Sequence, residues 1–167
     1  MKKLLVAVAA TALMFGLMPS AHAWNVETEV DDFGSTRVIA KTYFMSGVGN
    51  TDSFDEAYEN GDYQSLMMRC QDATLEIYVT TLNGEFGKSS SALVRFGNAA
   101  PKKWSVTISS SKTAVFLLNE RLLATTIAKS KKFAIRASGS QGYIAANFNT
   151  AGLSSYRSEF KNAGCKF

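Results

Sequence analysis

The sequence predicts a mainly β domain: a β-sandwich or small barrel of about eight or nine short antiparallel strands, with two short helices and one disulfide. Three observations predict it. Short runs alternate apolar and polar residues and are rich in Val, Ile, Thr and aromatics. Clusters of Gly, Asp, Asn and Ser separate those runs at hairpin spacing. Only two segments switch to a helical period. The composition, 46% hydrophobic and 19% charged, is that of a folded domain and not of a disordered chain.

Residues 1–23 read as a secretory signal peptide. Lys2 and Lys3 form a positive start, Leu4 to Leu17 an apolar run broken only by Thr11 and Gly16, and Ala21-His22-Ala23 a small-residue cleavage signature before Trp24. The apolar run is about 14 residues, short of the roughly 20 that span a bilayer. No cysteine follows it closely, so no lipid anchor is expected. The expectation is a single β-rich periplasmic domain over residues 24–167, with no membrane span once the leader is cleaved.

Within that domain, Trp24–Val30 and Thr36–Phe44 read as strands around the turn Asp31-Asp32-Phe33-Gly34. Residues 47–64 are rich in Gly, Asp, Glu and Asn and read as a long loop. Leu66–Cys70 and Leu75–Thr80 form a hairpin around Gln71-Asp72-Ala73. Leu93–Phe96 is a strand, and Lys103–Ile108 with Thr113–Leu117 a second hairpin. Lys132–Ala137 and Tyr143–Asn149 make the last hairpin, across Ser138-Gly139-Ser140-Gln141-Gly142. Asn119 is placed to cap a helix running to about Lys129, with Leu122, Leu123, Thr126 and Ile127 on one face. Leu153, Tyr156, Phe160 and Ala163 form an apolar stripe on a short C-terminal helix that Gly164 can close. The aromatics Trp24, Trp104, Tyr43, Phe44, Tyr78, Phe96, Phe116, Phe133 and Phe148 are expected to fill the core.

Cys70 and Cys165, an even pair in an exported chain, read as a disulfide. Closing so long a loop is worth roughly 4–5 kcal/mol in the chain-entropy picture. Charge is uneven. Residues 24–76 hold 11 acids and 3 bases, and residues 77–167 hold 3 acids and 13 bases. Either the two halves neutralise each other in the fold, or the surface carries one acidic and one basic face that steers a charged partner.

The catalytic inventory is sparse. The only histidine, His22, lies in the leader, so residues 24–167 exclude a His triad, a His general base and a His-ligated metal. No P-loop, Gly-x-Ser-x-Gly, zinc motif or Cys-x-x-Cys is present. Asp52, Asp55, Glu56, Glu59 and Asp62 cluster in the 47–64 loop. They read as a solvated acidic loop. Calcium binding and acid–base hydrolysis are the alternatives, but the spacing is not that of an EF-hand. Lys129, Lys131 and Lys132 sit where a helix ends and a strand begins, favourable for the helix dipole. They are also a candidate partner-binding patch. Ser138, Gly139 and Tyr143 belong to a small-residue hairpin loop able to approach a partner closely. That loop is similar to the Ser-Gly…Tyr loops which periplasmic lysozyme inhibitors insert into lysozyme.

A longer order of features runs through the chain. It starts with Trp24-Asn25-Val26, then Leu66-Met67-Met68-Arg69-Cys70 and Leu75-Glu76-Ile77-Tyr78-Val79. Arg95-Phe96, Trp104-Ser105 and Ala114-Val115-Phe116 follow. Phe133-Ala134-Ile135-Arg136, the run Ala146 to Leu153, and Ala163-Gly164-Cys165 complete it. This order resembles the type VI secretion system-associated TagO/VasI family, which includes phage and prophage relatives. The chain departs from that pattern in its longer acidic loop and in ending without a tryptophan. The resemblance implies an exported, disulfide-bonded accessory protein with no catalytic motif to carry over. The expectation is therefore a non-enzymatic periplasmic binding protein that meets envelope proteins, with no cofactor, metal or nucleic acid. A lysozyme inhibitor using the Ser138–Tyr143 loop and a carboxylate-based envelope hydrolase are the alternatives.

Overall fold

The computed structural model describes residues 24–30, 34–45, 49–51 and 63–167. The expected leader, and the carboxylates Asp52 to Asp62, lie outside these residues. Ten strands are present among the described residues. They are β1 (Asn25–Val30), β2 (Thr36–Met45), β3 (Gly49–Thr51), β4 (Tyr63–Gln71), β5 (Thr74–Thr81), β6 (Ser91–Phe96), β7 (Lys102–Ile108), β8 (Ala114–Leu117), β9 (Lys132–Gly139) and β10 (Gly142–Asn149). Helix α1 (Glu120–Lys129) joins β8 to β9. A 3-10 turn (Leu153–Tyr156) and helix α2 (Arg157–Asn162) follow β10. No described helix is long and apolar enough to cross a membrane.

All strand pairs are antiparallel, in the order β1-β2-β4-β5-β8-β7-β6-β9-β10, with β3 beside β2. The sheet curls so that β10 lies against β2. Phe44 meets Phe148 edge-on at 6.4 Å, and the Thr42 hydroxyl donates to the Asn149 carbonyl at 3.4 Å. The result is sandwich-like, two sheet halves closing on one core. It is not a barrel, which corrects that alternative. The reason lies in β2: β4 occupies one edge, and β1 and β3 share the other. β2 itself has no free edge for β10, which pairs only with β9, so the ends lap without joining.

The core follows the alternation. Leu66, Met68 and Cys70 on β4 and Ile77 and Val79 on β5 point inward from one half. Val94 on β6, Phe133 and Ile135 on β9, and Phe148 on β10 meet them from the other. Two expectations on packing are corrected. Tyr78 and Phe116 lie on the outer face, where their rings meet at 5.0 Å and Arg69 lies over Tyr78. Their neighbours Ile77 and Val115 take the inward positions. Helix α1 buries Leu123, Ala124 and Ile127, while Leu122 is 60% exposed. The small Ala124 lets the helix sit close on that face, turning Leu122 and Thr126 outward. Asn119 has a left-handed backbone and makes no side-chain cap.

The Cys70–Cys165 disulfide is present, joining β4 to the segment after α2. That segment docks tightly on the β4–β5 turn. Gly164 has φ +91°, and a Cβ there would stand 2.8 Å from the Ala73 Cβ. Only glycine meets both demands.

A candidate binding face on the β9–β10 hairpin

The β9–β10 ladder runs to its end, with Gly139 opposite Gly142. The expected five-residue loop is therefore a two-residue turn, Ser140-Gln141. Ser140 and Gln141 keep negative φ, and the positive φ, +126°, falls on Gly142 directly after the turn. The 82–88 segment braces the tip. Phe86 is buried and forms an isolated bridge with Gly139. The Gly87 N–H donates to the Ser138 carbonyl, and the Ser140 N–H donates to the Glu85 carbonyl, each at 2.8 Å. Phe86 itself donates its N–H to the Lys112 carbonyl at 2.8 Å. The hairpin tip is thus held from the side by backbone bonds. Sequence reasoning missed this brace, because a lone Phe86 in a Gly-rich stretch has no periodicity.

The bracing decides which of the expected residues face outward. Ser138 and Gly139 are half-buried, with their backbone engaged by the 85–87 segment. Tyr143 is 75% exposed, with the Arg136 guanidinium 5.2 Å above its ring. Arg136 was missed in the sequence, since only the register reveals it as a neighbour of Tyr143. Lys129, Lys131 and Lys132 do not join this group. They are exposed near the far end of β9, where Lys132 and Gly139 are separated by about 23 Å at roughly 3.3 Å per residue. There the Lys131 carbonyl accepts from the Thr150 N–H and the Lys132 carbonyl from the Gly97 N–H.

Beyond the tip, the outer face of β6, β9 and β10 is set by two cross-strand rows. Leu93 stands opposite Arg136, and Arg136 opposite Ala145. Arg95 stands opposite Ala134, and Ala134 opposite Asn147. Small alanines among long neighbours leave a cleft of about 370 Å³, whose walls also include Phe44 and Pro101.

Four of the eleven acids of residues 24–76 are described, and the ion pairs among the described residues are local. The ion pairs given by the structure are Arg37–Glu29, Lys41–Glu27, Arg69–Glu76 and Lys112–Glu85. Each lies within one half of the chain. Among the described residues none joins the acidic half to the basic half, and none involves Arg95 or Arg136. Among the described residues no group of three or more His, Cys, Asp and Glu is placed to hold a metal. The strongest pKa shift is that of Tyr43, pushed up to about 12 by burial first, then by Tyr63 and Glu27. Burial likewise raises Tyr78. Both phenols keep their protons at neutral pH and act there as hydroxyl groups, not as bases.

No protein-family model matches the sequence, and no curated protein or solved structure matches it significantly.

Proposed function

We propose that this chain is an exported, non-enzymatic accessory protein of the bacterial envelope, of the TagO/VasI kind, which binds an envelope protein through the β9–β10 tip. One observation carries the reading: Tyr143, largely exposed under Arg136, stands on a tip braced by the 85–87 segment. Tyrosine and arginine dominate the residues on which protein interfaces depend most. A pre-ordered tip loses little freedom on binding. The leader-like residues 1–23 and the order of features from Trp24 to Cys165 support the compartment and the kind of protein.

The test is capture of the tagged protein from periplasm, with bound proteins identified by mass spectrometry. Recovery of envelope-machine subunits by the native protein, and their loss with Tyr143→Ala, is expected. Equal recovery by both proteins would count against the tip. Recovery of a lysozyme would favour the inhibitor reading, which the same exposed tyrosine supports. In that case the insertion is made by the Ser140-Gln141 turn and Tyr143, because the backbone of Ser138 and Gly139 is already engaged.

A further inference from the structure

We propose that the cleft on the outer face of β6, β9 and β10 binds a single-chain anionic amphiphile, a medium-chain fatty acid in its carboxylate form. The floor of the cleft is apolar. Ala134 and Ala145, on neighbouring strands, leave the hollow, and Leu93, Phe44 and Pro101 wall it. Its volume, about 370 Å³, falls in the range of small-molecule sites, which are mostly apolar with a few convergent polar groups. Among the described residues the charged groups here are Arg95 and Arg136, and no carboxylate lines the cleft.

The register places the two arginines on adjacent strands and on one face. Arg95 is opposite Ala134, and Arg136 is two residues further along the same strand. Such diagonal neighbours lie roughly 7–8 Å apart at Cα; the Arg136 guanidinium, which lies over Tyr143, turns from that ring toward Arg95 to share one carboxylate. Guanidinium groups fork onto carboxylates, and the fork is stronger beside an apolar surface than in open water. Neither arginine has a carboxylate partner among the described residues. A bounded hollow with cations and no acid is matched by a ligand with an apolar body and one negative head. A cationic or neutral amphiphile of the same length leaves the arginines unanswered. The proposal does not depend on the envelope-protein reading, which concerns the tip.

The experiment is calorimetric titration of the protein, expressed from the full chain and purified from periplasm. Dodecanoate, below its micelle concentration, is compared with dodecyltrimethylammonium. Saturable one-to-one binding of dodecanoate is expected, tighter than the cationic probe by about tenfold or more. The double variant Arg95→Gln/Arg136→Gln should weaken it by about tenfold. Ala145→Trp, at an exposed strand position, should block the hollow and abolish binding while thermal unfolding stays unchanged. Amide shifts induced by dodecanoate should map to β6, β9 and β10. Absence of saturable dodecanoate binding overturns the proposal. So does equal affinity for the cationic probe, or binding that survives both the double variant and Ala145→Trp. Any of these results leaves partner capture through Tyr143 untouched, because the titration contains no other protein.

Discussion

The two outer faces of this sheet treat charge in opposite ways. On β1, β2, β4 and β5, Arg37, Lys41 and Arg69 are each set against a glutamate. The pairing follows from register: Glu29 stands opposite Arg37, and Glu76 opposite Arg69. Across β6, β7 and β9, Arg95, Lys103 and Arg136 have no such partner among the described residues, and an apolar hollow lies beside Arg95 and Arg136. The first face answers its own charges through cross-strand neighbours. The second keeps its charge available, as a recognition surface does. Among the described residues, each ion pair joins two members of the same half of the chain.

The largest expected effect tests what holds the two faces in one body. Cys165→Ala removes the tie between β4 and the segment after α2, and should cost about 4 kcal/mol in denaturant unfolding. Mass spectrometry without reductant should find no free thiol in the native protein. A loss well under about 1 kcal/mol would mean the C-terminal segment holds itself in place. Next is Phe86→Ala, which removes the buried strut under the tip and should cost about 3–4 kcal/mol. Hydrogen exchange at Ser140 should quicken in that variant, because its N–H bond to Glu85 loses support.

A pH titration sharpens the contrast from the paired face. The folded value of Tyr43 lies above its ordinary 10.0, so the unfolded chain gives up this proton first. Stability is therefore intact below pH 10 and falls as pH rises toward about 12. Tyr43→Phe should remove that share of the alkaline fall. The smallest effects separate the faces directly. Arg69→Gln should cost about 0.5–1 kcal/mol through its half-exposed partner Glu76. Arg95→Gln should leave stability within about 0.5 kcal/mol, since no described carboxylate pairs with it.

Most of the fold was legible because burial here follows period two. Leu66-x-Met68-x-Cys70 and Ile77-x-Val79 announce their strands and their inward faces. The disulfide was legible as the only pairing two cysteines allow. What was not legible depended on register or on contacts distant in sequence. Strand β3 is three residues, too short for any period to show. Tyr78 was expected in the core for its aromatic ring, yet as the residue between Ile77 and Val79 it faces outward, where it meets Phe116. Helix α1 offered two apolar faces, and Ala124 chose between them by size. At the candidate site, Ser138, Gly139 and Tyr143 could be read as a hairpin tip. Arg136 beside Tyr143, Arg95 beside Ala134 and the brace from Phe86 are cross-strand facts that no local window contains.

The account rests most on the claim that the braced tip, and not the self-paired face, meets the partner. Site-specific photo-crosslinking in living cells tests it. A photoreactive residue is placed at Gln141 on the exposed turn, and separately at Asn25, exposed on the self-paired face of β1 opposite Lys41. The account predicts a discrete adduct with an envelope protein from position 141, lost with Tyr143→Ala, and none from position 25. Equal adducts from both positions, or an adduct from position 25 alone, would contradict it.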